Sequence, residues 1–152
     1  MSSNLNAPDL TQRPPRSARV RLGGYVLFAR ILDKCRASLA GKNGEFKFDS
    51  GLDQHFFNYV GVEAEALKVA VSTGKSDGEM LVWLEENANC KRTPWEIKQW
   101  SAYQDERVPD GDAETRALYD RLVGQFTTTR EDIKTWMDYL DLDDYCTFGG
   151  QP

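Results

Sequence analysis

Val20-Arg-Leu-Gly-Gly-Tyr-Val-Leu-Phe-Ala-Arg-Ile-Leu-Asp-Lys-Cys-Arg-Ala-Ser-Leu39 is the stretch of this 152-residue chain on which the fold turns. Within it Leu22, Tyr25, Phe28 (or Ala29), Leu32, Cys35 and Leu39 recur at steps of three and four, the spacing that returns side chains to one face of a helix. The spacing predicts an amphipathic helix running from about Val20. Gly41 stops it, because glycine enters the left-handed region that closes a helix without a Cβ penalty.

Working downstream, the same logic repeats. Leu52, Phe56, Tyr59 and Val60 predict a short helix between Ser50 and Val60, closed by Gly61. Ala64, Leu67 and Val71 predict another over Glu63 to Thr73, ending at Gly74. Ser76 with Glu79 is a capping-box pair, in which each side chain satisfies an unpaired amide at the helix end, and Leu81, Leu84 and Ala88 follow. Thr93-Pro94-Trp95-Glu96 is a second box, with proline at the first helical position where its missing N–H is harmless. Asp110-Gly111 marks a turn, Asp112 caps the next helix, and Leu118, Leu122 and Phe126 form its stripe. Thr129 with Asp132 opens the last helix, with Ile133, Trp136, Met137 and Leu140 as its apolar face. The one alternating segment, Glu45-Phe46-Lys47-Phe48, predicts a short strand, with 145–148 as its candidate partner. The expected fold is therefore all-α, a compact bundle of about seven short helices with one minor two-stranded pairing, and no internal repeat or low-complexity linker divides it.

Upstream, Pro8, Pro14 and Pro15 fix backbone torsions and remove donors, so residues 1–19 are expected as an extended Pro/Arg-rich arm packed on a single helical domain, residues 20–152. Charge is divided along the same lines. Residues 1–48 carry nine basic against three acidic residues and residues 49–152 ten against twenty-one, so balances of +6 and -11 underlie the net -5. The first nineteen residues have no apolar run of signal-peptide length, and the expected location is the cytoplasm. The longest apolar run, Tyr25 to Ala29, is far short of the roughly 20 residues that a membrane-spanning helix needs, so no membrane is expected. Three widely spaced cysteines, Cys35, Cys90 and Cys146, suit reduced core thiols better than a disulfide framework.

Several apparent motifs dissolve on their spacing. Gly74-Lys75-Ser76 resembles the end of a phosphate-binding loop, but position 69, where that motif needs glycine, holds Val69; a turn followed by a cap is the better reading. His55 is the only histidine, lies beside Phe56 and Phe57, and has no nucleophile at a diagnostic distance along the chain. Cys35, His55, Cys90 and Cys146 lack the short ligand spacings of structural zinc, so no metal is expected. Asp138, Asp141, Asp143 and Asp144 lack the glycine and terminal glutamate of a calcium loop, and read instead as a solvated helix end or a docking surface for the basic arm. Nothing calls for a cofactor.

The arm carries the sharpest signal. Arg13, Arg16, Arg19 and Arg21 fall within nine residues, and at three residues per polyproline turn the first three would share one edge, a row of guanidinium groups suited to carboxylate or phosphate. Gly23 and Gly24, near the expected helix start, add unhindered amides where the helix dipole favours an anion. Two readings stand. These six residues form an anion site, or the arm straps itself across the acidic remainder, whose carboxylates supply ample partners and favour the strap. Nucleic acid is not expected, because a chain with pI near 4.9 lacks a dominant basic face.

Asp9-Leu10-Thr11, Arg13-Pro14-Pro15-Arg16-Ser17, Arg21-Leu22-Gly23-Gly24-Tyr25, Asp33-Lys34-Cys35-Arg36, Asn43-Gly44-Glu45, Leu52-Asp53-Gln54, Trp100-Ser101-Ala102-Tyr103 and Leu140-Asp141-Leu142-Asp143-Asp144-Tyr145 together resemble the bacterial domain of unknown function 5069 family. The resemblance spans nearly the whole chain. It implies no activity, and it places Cys35 and His55 where variation is expected. The expected function is a non-enzymatic binding or interaction module that engages a protein or a small anionic ligand at the arginine arm. The competing expectation is a small enzyme acting on a phosphorylated or carboxylated metabolite, with Asp33 or Tyr25 handling a proton.

Overall fold

Helix α1 (Phe28–Leu39) is buried on both its apolar and its polar side, ten of its twelve residues lying in the interior. The computed structural model describes residues 6–109 and 111–152 of the chain. Phe28, Ile31, Leu32 and Cys35 share one core with Phe56 of α2 (Asp53–Val60), Leu67 and Val71 of α3 (Ala64–Ser72), and Met80 and Leu84 of α4 (Asp77–Asn87). Burial of each large side chain contributes on the order of 1.5–3 kcal/mol. The order continues with α5 (Pro94–Glu106), α6 (Ala113–Gly124) and α7 (Trp136–Thr147), so seven helices make up the described residues.

Charged side chains inside a protein are tolerated only when paired, and on α1 each reaches a different element. Arg30 forks onto Asp144 of α7 at 2.7 and 3.1 Å. Lys34 donates to both oxygens of Asp53, the first residue of α2, at 2.8 and 2.9 Å. Arg36 meets Asp77, the first residue of α4, at 2.8 Å. Asp33 receives Arg16 from the segment before α1. Burial pushes the Lys34 amine below its usual value, although Asp53 pulls the other way.

Three expectations are corrected. The helix expected from Val20 begins at Phe28: Leu22 and Tyr25 exchange backbone hydrogen bonds at 3.0 and 3.1 Å across a Gly23-Gly24 turn, with both glycines at positive φ. The apolar periodicity of Leu22 and Tyr25 thus comes from a loop folded onto the core. The expected 45–48 with 145–148 pairing is absent, because Tyr145 to Thr147 complete α7 and 45–48 lie in turns and coil; instead the rings of Phe46 and Phe148 stack, centroids 6.2 Å apart. The last helix starts at Trp136, not near Thr129, because Thr135 and Asp138 form the capping box, while Asp132 is forked by Arg130, whose hydrogen bonds hold it down to about 2.

Other local signals correspond to the structure. Gly41, Gly61 and Gly74 adopt positive φ just past α1, α2 and α3, the Ser76–Glu79 and Thr93–Glu96 boxes open α4 and α5, and Asp112 caps α6. Asp110 of the Asp110-Gly111 turn and residues 1–5 of the arm lie outside the described residues. From residue 6 on, the arm is fastened to the helices: Leu10 and Ala18 are buried, the Leu10 amide donates to Lys42 O, and the Leu27 amide donates to Ala18 O. No helix is long and apolar enough to cross a membrane among the described residues.

Candidate functional site

The six residues singled out in the sequence separate into two groups. Arg16 is saturated: its amide and Nε donate to Asp33 Oδ2 at 2.9 and 3.0 Å, Nη2 donates to Asp33 Oδ1 at 2.9 Å, and Nη1 donates to Asp77 Oδ2 at 2.7 Å. These bonds hold Arg16 further above its usual value and Asp77 below the usual carboxylate range. Arg19 binds Asp105 at 2.9 Å, Asp141 at 3.2 Å and Asp138. Burial alone would raise the Asp138 carboxyl, but the amides of Lys134 and Thr135 outweigh it, and the net direction is down. Arg16 and Arg19 therefore do not stand as a free row along one edge; each is forked onto carboxylates from other elements. Arg13 is exposed and has no ion-pair partner among the described residues.

Arg21, Gly23 and Gly24 lie elsewhere, at a cavity of about 660 Å³ between their turn, the C-terminal end of α4 and the first turns of α5. The turn is pinned from behind. Ser101 of α5, fully buried, donates to Gly24 O at 2.6 Å and accepts from the Val26 amide at 3.2 Å. Glycine suits position 23 because its φ is +60, and a Cβ there would stand 2.4 Å from a Leu81 methyl, which would have to move aside. The expected anion cradle of helix-start amides is not built here, since α1 begins four residues beyond Gly24 and the turn closes on itself.

Leu84, Ala88 and Ile97 give the cavity an aliphatic floor, and Tyr25 joins them. Tyr25 is 6% exposed, edge-on to Phe56 and Trp100, and its hydroxyl has no hydrogen-bond partner among the described residues. Burial pushes this phenol up to about 12, with Tyr59 adding to the effect, Arg92 opposing it and Glu85 reinforcing it. Exposed Arg21, Lys91, Lys98 and Glu85 ring the mouth, with half-buried Arg92. Arg92 lies 4.2 Å over the Tyr59 ring and donates to Tyr59 O, while Arg21 donates to the Arg19 carbonyl at 3.2 Å. Neither Lys91 nor Lys98 has an ion-pair partner among the described residues. Sequence reasoning missed this group, although Cys90-Lys91-Arg92, followed by Lys98 one turn after Pro94, carried the signal.

The remaining candidates occupy structural positions. Asp33 is engaged by Arg16 at 2.9 Å. Cys35 is buried, and burial pushes its thiol up to about 12; Cys90 and Cys146 are only partly buried, so the core-thiol expectation fits Cys35 alone. His55 is exposed on α2, with burial of its ring and nearby Arg107 lowering its value. Among the described residues no three His, Cys, Asp or Glu side chains form a metal shell. Gly74-Lys75-Ser76 is a turn and a cap: Gly74 closes α3 and Ser76 caps α4. Of the acidic run, Asp138 and Asp141 receive Arg19, Asp144 receives Arg30, and Asp143 is left to be raised by burial and by Asp144.

The family model described as Domain of unknown function (DUF5069) matches residues 12–146. No curated protein matches the chain.

Proposed function

The chain belongs to the DUF5069 family of domains of unknown function, and from its geometry we propose that it is a non-enzymatic binding module whose ligand site is the cavity behind Arg21, Gly23 and Gly24. One observation carries the reading. Of the six candidate residues, these three line a cavity large enough for a small molecule, with an apolar floor and a cationic mouth, the composition of ligand pockets in general. Arg16 and Arg19 are the strap that holds the arm to α1, α4, α5 and α7, because their donors already meet carboxylates.

A thermal-shift screen of organic acids, phosphates and neutral compounds tests this, since a ligand that selects the folded state raises its stability by RT ln(1 + [L]/Kd). Wild type should be stabilised by a subset of compounds, and Ile97→Trp, which fills the cavity from its floor, should lose the response. Arg13→Ala should respond as wild type does. A response lost in Arg13→Ala but kept in Ile97→Trp would move the site to the arm, and no response from wild type would remove the binding role.

A further inference from the structure

We propose that the cavity takes a small amphipathic monocarboxylate, its aliphatic body on Leu84, Ala88 and Ile97 and its carboxylate at the mouth between Lys98 and the Tyr25 hydroxyl. This rests on the cavity being the ligand site and specifies what it takes. The cations left without a partner decide the headgroup. Arg21, Lys91, Arg92 and Lys98 bring four positive charges to the mouth. Glu85 on the same mouth brings one negative charge, Arg92 faces Glu96 at 3.8 Å, and Arg21 faces Asp105 at 3.6 Å, an acid that Arg19 holds more closely at 2.9 Å. Lys91 already donates to the Glu85 carbonyl at 2.5 Å, which leaves Lys98 as one positive charge without a hydrogen-bond or ion-pair partner among the described residues, a match for the single charge of a carboxylate. Lys91 and Lys98 are the two mouth cations without an ion-pair partner, and of these Lys98 rises from α5 beside the Ile97 floor.

The body follows from the floor. Leu84 on α4 and Ala88, the residue that closes that helix, are buried four positions apart, and Ile97 of α5 lines the same cavity. Hydrocarbon placed there leaves water, and each added methylene strengthens binding by about three- to fourfold until the space is filled. Tyr25 brings a hydroxyl to these walls. It stays protonated at neutral pH, so its O–H donates and the second carboxylate oxygen accepts, which gives a hydrogen bond to a cavity-wall hydroxyl that has no protein partner among the described residues.

The experiment is a titration of the full chain, labelled with nitrogen-15, by hexanoate, octanoate, decanoate, methyl octanoate, octylamine and octyl phosphate. Octanoate should shift the amides of Gly23, Gly24, Ile97 and Lys98, with affinity climbing about three- to fourfold per methylene along the acid series. The methyl ester should bind about tenfold more weakly. Lys98→Gln and Tyr25→Phe should each weaken octanoate severalfold and leave the ester unchanged; both should fold, because one side chain is exposed and the other loses only an unbonded hydroxyl. If the ester, the amine or the phosphate binds at the same amides as tightly as octanoate, the monocarboxylate assignment is wrong and the cavity still stands as a ligand site. If no probe moves those amides, both ideas fall.

Discussion

Asp53 is 1% exposed, and a carboxylate so deeply placed survives only because Lys34 donates to both of its oxygens and the Ser50 amide to one. The pair locates α2 against α1 more than it adds net stability, since desolvation of two charges offsets most of their attraction. Asp53→Ala should cost about 3–5 kcal/mol, because it strands the Lys34 ammonium. Lys34→Met combined with Asp53→Leu should recover most of that loss, both measured as urea unfolding free energies. A double variant no more stable than Asp53→Ala would mean that the pair itself holds the two helices together. At the same scale, Leu27 is a non-glycine residue at φ 72 immediately before α1, yet only 1% exposed. Its burial in the core outweighs the small steric penalty of that backbone.

The starts of α4, α5 and α7 are set by reciprocal caps, and sequence matching alone identifies too many of them. Thr129 and Asp132 have the right spacing, as do Thr135 and Asp138, but only the second pair meets its amides: Asp138 Oδ2 accepts from Thr135 N at 2.8 Å and Thr135 Oγ1 accepts from Asp138 N at 3.0 Å. Thr135 has further duties, because its hydroxyl accepts from Arg19 and its carbonyl accepts from the buried Tyr119 hydroxyl at 2.8 Å. Thr135→Ala should therefore destabilise the fold by about 1 kcal/mol or more. Thr129→Ala should change it by less than about 0.5 kcal/mol. Equal effects in chemical denaturation would contradict the assigned start of α7.

At the level of the whole molecule, the +6 balance of residues 1–48 is laid against acids drawn from α4, α5 and α7, so stability depends on pH in a defined direction. Asp77 and Asp138 have folded-state values below the usual carboxylate range. Folding therefore favours their ionised forms, and the associated stability is complete above about pH 4 and lost as pH falls through the folded values. Asp143 is raised and acts in the opposite sense, its unfavourable ionisation being relieved by acid. Urea midpoints taken from pH 6 to pH 2 should decline below about pH 4, and the decline should be shallower in Asp77→Asn. A variant with the same slope as wild type would exclude the Arg16–Asp77–Arg36 junction as the acid-sensitive element.

The helical character of the chain was legible in local chemistry: apolar residues at steps of three and four, glycines past helix ends, and capping boxes at Ser76 and Thr93 depend on neighbours within a few positions. The start of α1 was not, because Leu22 and Tyr25 keep helical spacing while lying in a turn that Ser101, 77 residues beyond Gly24, pins to α5. The candidate site divides in the same way. A row of arginines could be read directly, but which of them meet carboxylates depended on Asp33, Asp77, Asp105, Asp138 and Asp141 arriving from four helices. Charge pairing and cavities are properties of separation in space, and the tertiary structure alone brought Arg21, Lys91 and Lys98 to one opening.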